Sequence, residues 1–168
     1  MKKFNIHHEE GYILEKDKEA LQPYPGIYVV YKCDYNPHDR TVDIKDILYI
    51  GEAENIFKRH NSDTPHEHLE DFKRYAGGEE HVCYGEILLQ DMSEEDRKTI
   101  EAAMIHIQQP LINWSSTFHY TKPASDILMT GGPDCWKRKH FIHPINNGDE
   151  IGTDTLEEYL KRALEGGK

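Results

Sequence analysis

The chain is short of three things: long apolar runs, cysteine and positive charge. No apolar stretch approaches the ~20 residues a helix needs to span a bilayer, and no basic-then-apolar leader is visible, so no membrane partner and a cytoplasmic setting are expected. The three cysteines (Cys33, Cys83, Cys135) are odd in number, far apart and lack a CxxC pair. That pattern argues against a disulfide framework and suits a reducing compartment. Lysine and arginine number 20 against 31 acidic residues, a formal net charge of −11. Neutralising phosphates with Lys and Arg supplies most nonspecific affinity for nucleic acid, so a polyanion would have to be met by a local basic stripe. Internal repeats and low-complexity tracts are also missing, and 168 residues suit one compact domain with short extensions.

What is present is a clear alternation of elements. Residues 1–22 are polar and read as an N-terminal extension holding a short strand and a helical turn; Pro23 and Pro25 punctuate its end. Gly26–Lys32 is rich in β-branched and aromatic residues and predicts a strand. Asp34, Asn36 and Pro37 make the following stretch a long turn, and Ile44–Gly51 predicts a second strand antiparallel to the first. Short helices are expected over 53–60 and 65–75, then a strand over 81–89 after Gly77-Gly78. Ser93-Glu94-Glu95-Asp96 is a capping signal for a helix that Pro110 stops. Ile100, Ala103, Met104 and Ile107 are its apolar stripe, and Leu156, Tyr159, Leu160 and Leu164 mark a terminal amphipathic helix over 155–164. This order predicts an α+β fold: a small three-stranded antiparallel sheet flanked by helices, with short N- and C-terminal additions. The expected organisation is an extension (1–22), a domain (23–116) and a C-terminal extension packed on it (117–168).

Two tripeptides stand at the ends of the first two strands, Gly26-Ile27-Tyr28 and Tyr49-Ile50-Gly51. Tyrosines there can project from one sheet face as a polar pair. Arg59, ten residues after Tyr49, falls on the next helix; Glu101 lies on the capped helix, with Asn113 twelve beyond it. This ordered set resembles the GIY-YIG nuclease family over roughly residues 23–116. One tripeptide would be weak, but five parts in order form a specific signal. The resemblance implies an endonuclease that hydrolyses phosphodiester bonds in DNA, or second in order RNA, with one Mg²⁺ or Mn²⁺ ion. It implies Tyr49 as general base, Tyr28 as its partner, Arg59 as phosphate clamp, Glu101 as metal ligand and Asn113 as a support.

The side chains themselves suit such chemistry. A single carboxylate can hold a hard divalent cation whose other ligands are waters and phosphate oxygen. Arg59 offers a planar, permanently charged fork. A free tyrosine ionises near pH ~10, so nearby positive charge must lower its pKa if it is to act as a base. Each residue taken singly also has a plain reading. Strand tyrosines commonly pack, Arg59 can cap its helix, and Asn113 can shape a turn. Glu101 can pair with Arg97 four residues earlier.

Some positions depart from the family pattern. The tripeptides are separated by an insertion around residues 33–46, and Glu52 stands where the DNA-repair members have lysine. Asp63 occupies a place where some members have histidine or tyrosine, with His60, His66 and His68 as possible stand-ins. Lys58, Arg59 and His60 form one candidate basic contact. Lys137-Arg138-Lys139, flanked by Trp136 and Phe141, forms another, suited to phosphate contact with base stacking or equally to an amphipathic strand. Cys135, His140 and His143 lack the paired spacing of a structural zinc site. Two rival readings remain: the same fold as an inactive binding module for nucleic acid or protein, and an acidic interaction protein that never meets nucleic acid.

Overall fold

The structure is a computed structural model and describes residues 1–113 and 122–143, with 142 and 143 described as backbone only. The terminal helix expected over 155–164 lies outside the described residues. The described elements follow in order: β1 (Lys2–His8), β2 (Ile13–Leu14), a 3-10 helix (Glu15–Ala20), β3 (Gly26–Asn36), β4 (Thr41–Ala53), α1 (Ile56–Asn61), α2 (Leu69–Ala76), β5 (Val82–Leu88), α3 (Glu94–Gln108), β6 (Ser125–Gly131) and β7 (His140–His143), with a second 3-10 turn (Glu79–His81) before β5. No described helix is long and apolar enough to cross a membrane.

The strands form one seven-stranded sheet in the order β4-β3-β5-β1-β6-β7, with β2 also paired to β5. All pairings are antiparallel except β1 with β6, which run parallel. The expected small three-stranded antiparallel sheet is therefore wrong. The regions read as short additions supply β1, β2, β6 and β7. Their period-2 burial is the reason: Phe4, Ile6 and His8 point inward from β1 while Lys3, Asn5 and His7 face water. So polar a stretch reads as a lead-in, yet three inward side chains suffice to set a strand against β5 and β6.

The hairpin also differs from expectation. Both strands continue well past the anticipated turn, to Asn36 and from Thr41, with register shifts at Val30/Tyr31 and Lys32/Cys33. Asn36 closes the turn by accepting the His38 backbone N–H at 2.9 Å. The extra length between the tripeptides is thus longer strand, and the bulges absorb its twist. Two apolar layers cover the sheet. Ile27, Val29, Tyr31, Ile47 and Ile50 pack with Ile100, Ala103, Met104 and Ile107 of α3 on one face. Tyr28, Val30 and Leu48 pack with Ile56 of α1 and Phe72 of α2 on the other.

Candidate active site at the edge of β4

Registry places the two tyrosines. Tyr28 pairs with Gly51 and Tyr49 with Val30, so both side chains rise from the face that carries α1 and α2. A Cβ on Gly51 would lie 2.3 Å from both Cζ and Oη of Tyr28. The Tyr28 ring therefore lies across Gly51, toward the free edge of β4, and only glycine leaves it room. The two phenol rings stack with centroids 6.0 Å apart and planes 25° apart.

β4 is an edge strand of the sheet, and its outward backbone groups need partners. The Asn113 amide supplies two: its Oδ1 accepts Ile50 N–H at 2.8 Å and its Nδ2 donates to Ile50 C=O at 2.9 Å. Ile112 N–H donates to Leu48 C=O at 3.0 Å. Glu101 completes the edge, its Oε1 accepting Glu52 N–H at 3.0 Å. Although α3 packs on the opposite face from the tyrosines, Glu101 sits beside its apolar stripe and reaches the strand's rim. There its charge is felt by both phenols, adding to burial, the main cause, in raising the pKa of Tyr49 and of Tyr28.

The carboxyl of Glu101 is pushed up to about 7, first by burial and then by the nearby Glu52 carboxylate, against the pull of the Glu52 N–H hydrogen bond and, less strongly, of Lys98 and Lys122. Arg97 does not pair with Glu101. Its Nε donates to Glu52 Oε1 at 2.8 Å, with both side chains about nine-tenths buried. The Glu52 carboxylate is thus already paired within the chain.

α1 is capped by Asn55, whose side chain accepts Lys58 N–H at 3.0 Å. This sends Lys58 and Arg59 outward and His60 inward. Arg59 Nη2 meets Glu67 Oε2 at 2.6 Å. Lys58, Arg59 and Lys98 line an open cavity of about 500 Å³ with Glu52, Glu54, Asn55 and Glu94. His60, expected with the basic contacts, is buried edge-on against Tyr28, ring centroids 4.4 Å apart, and its Nε2 has no hydrogen-bond partner. Burial, then His66, holds its pKa down to about 3, so it carries no charge near neutrality.

His66 was one of three candidates in the sequence, and it is the one that touches a tyrosine oxygen: its Nε2 lies 2.7 Å from Tyr28 Oη. Its Nδ1 accepts His68 N–H at 3.1 Å, and burial holds its pKa down to about 4. A neutral imidazole accepting at Nδ1 carries its proton on Nε2. His66 therefore donates to Tyr28, which leaves the Tyr28 proton for Tyr49. That hydrogen bond and Arg59 lower the pKa of Tyr49, while burial first and then Glu101 raise it, and the net shift is upward. Spacing alone gave no means of choosing His66. Glu67 and the Glu52–Arg97 pair were not anticipated at all.

Lys137, Arg138 and Lys139 do not line this cavity. Lys137 N–H donates to Gln108 Oε1 and Gln108 Nε2 to Arg138 C=O, which ties the stretch to the C-terminal end of α3, two turns beyond Glu101. Its flanking aromatics, Trp136 and Phe141, are buried in the core, so they are not stacking platforms. Among the described residues no three His, Cys, Asp or Glu side chains gather as a metal cluster. Glu101 alone nevertheless suits a hard cation: it is a half-buried carboxylate short of positive charge, and such ions keep most of their waters. Comparisons with protein-family models, curated proteins and solved structures returned no match.

Proposed function

We propose that this chain is a GIY-YIG-like endonuclease that hydrolyses phosphodiester bonds in DNA, or second in order RNA, using one Mg²⁺ or Mn²⁺ ion at Glu101, in a cytoplasmic setting. The observation that carries the reading is convergence. Arg59 and Glu101 both bear on the ionisation of Tyr28 and Tyr49, whose rings stack 6.0 Å apart, and Asn113 fixes the strand edge beside them.

In this reading Tyr49 takes the proton of the attacking water. Tyr28, held by His66, donates to the developing Tyr49 phenolate and so lowers the cost of forming it. Arg59 meets the phosphoryl oxygens with its fork. A cation at Glu101 would supply Lewis-acid stabilisation of phosphate oxygen. Asn113 keeps the Tyr49-Ile50-Gly51 segment in place through both backbone groups of Ile50.

The test is cleavage of labelled duplex and single-stranded oligonucleotides with and without Mg²⁺ or Mn²⁺. The parent should cut only with the ion, and Glu101→Gln, which keeps the acceptor for Glu52 N–H, should lose ~100-fold or more in rate. Equal rates for parent and variant would refute the mechanism. Salt-dependent binding by the parent without cleavage under any condition would point to the inactive binding module.

A further inference from the structure

Arg59, whose charge lowers the pKa of both phenols, is occupied. Its Nη2 lies 2.6 Å from Glu67 Oε2, and the Glu67 side chain is 60% exposed where that of Arg59 is 31% exposed. The carboxylate therefore enters from the solvent side, the side from which a substrate would come, and can swing away without disturbing the core. Its delivery is built in. Glu67 follows His66, which is buried and held by the Tyr28 hydroxyl, and His66 in turn accepts the backbone N–H of His68. A loop anchored on both sides of Glu67 holds its carboxylate at Arg59. The contact is strong enough to keep the Glu67 carboxyl well below its usual range, at about 2.

Carboxylate and phosphate compete for the same fork geometry of arginine. We infer that Glu67 is an internal stand-in for the backbone phosphate: its carboxylate occupies Arg59 until a polyanion displaces it. The inference rests on the phosphodiester reading of the cavity. A lone phosphate must outcompete a tethered carboxylate at one cation and gains nothing elsewhere. A polynucleotide strand brings further phosphates to Lys58 and Lys98, which line the same cavity, and the added contacts make the exchange favourable. Lys98 is compensated in the same manner, its Nζ 2.7 Å from Glu94 Oε1.

The experiment uses the full chain without divalent cation, so that nothing is cut. Binding of a short DNA oligonucleotide is followed by fluorescence anisotropy, and binding of inorganic phosphate by the NMR signal of the Arg59 guanidinium. Glu67→Gln should tighten both by roughly tenfold, the gain expected when a charged competitor is removed from one arginine. Glu70→Gln removes the same charge from an exposed position paired with Lys73 on α2 and should change either by less than about twofold. In an Arg59→Ala background, where only the oligonucleotide is followed, Glu67→Gln should act no more strongly than Glu70→Gln. The inference is overturned if Glu67→Gln matches Glu70→Gln, if its effect on DNA survives without Arg59, or if it weakens binding. The two readings fail separately. Arg59 responding as expected in a chain that never cleaves would remove the nuclease assignment and leave Glu67's role. Cleavage by the parent with an unresponsive Glu67 variant would do the reverse.

Discussion

A carboxyl group that must carry charge beside buried phenols is unstable by construction, and Glu101 is in that position. Its folded pKa of about 7 exceeds the ordinary 4.5. The sign follows: burial of Glu101 costs nothing while both states are protonated, below about pH 4.5, and stability is lost as pH rises through about 7. The full loss is on the order of 2 kcal/mol after allowing for residual solvent access. His60 and His66 act oppositely. Their folded values, about 3 and about 4, lie below the ordinary 6.5, so their contribution is intact above 6.5 and falls away under acid. Total stability therefore masks both, and only a difference separates them. The melting temperature of Glu101→Gln minus that of the parent should be near zero at pH 4.5 and grow to roughly 3–8 °C at pH 8. Millimolar Mg²⁺ at pH 8 should raise the parent and leave the variant unmoved. Parallel melting curves across that range would mean that Glu101 carries no such burden, and that the site lacks its reason to hold a cation.

At the scale of elements, the sequence placed the candidates Tyr28, Tyr49, Arg59 and Glu101 on their strands and helices, whereas the strand edge beside which they meet was not visible in it. Ser93 is the N-cap of α3 and accepts Asp96 N–H, as the sequence signal requires. Nothing in the string of letters says that β4 would be an edge, or that Glu101 and Asn113 would serve its outward backbone groups. The same blindness hid Arg97's choice of Glu52, since an i,i+4 pair with Glu101 is the local solution and the observed pair spans 45 residues. Asn113 is the critical member. It is 6% exposed, so replacing it with alanine strands the N–H and C=O of Ile50 in the interior. Asn113→Ala should lower stability by about 2–4 kcal/mol in urea denaturation. It should also speed hydrogen exchange at the Ile50 amide far more than at Val29 across the ladder. Unchanged protection at Ile50 would show that the strand edge is held by other means.

The whole molecule is less modular than its sequence suggests, and one residue shows why. Tyr31 on β3 accepts the indole N–H of Trp136 at 3.0 Å and donates to His8 Nε2 at 2.9 Å. His8 is fixed in that role because its Nδ1–H is given to Glu9 C=O. Gly85 makes the space, since a Cβ there would lie 2.4 Å from His8 Nε2. One buried hydroxyl thus joins β1, β3 and the β6–β7 connection, and one apolar layer runs from Phe4 and Ile127 to Ile50 and Ile100. Sequence reading placed these parts in separate regions because a contact spanning 105 residues leaves no local pattern. If the sheet is one cooperative unit, removing the Tyr31 hydroxyl should weaken all of it together. Tyr31→Phe leaves the Trp136 N–H unpaired and should cost about 1–3 kcal/mol. Its urea transition should remain single, with Trp136 fluorescence (in a Trp114→Phe background) and far-UV circular dichroism coinciding. The isolated 23–113 segment, although it holds every proposed site residue, should lack fixed tertiary structure, because β5 loses β1 and its face of the core is uncovered. A well-folded 23–113 segment, or a Trp136 signal that melts ahead of the strands, would separate the two halves of the sheet and return the N- and C-terminal strands to the rank of appendages.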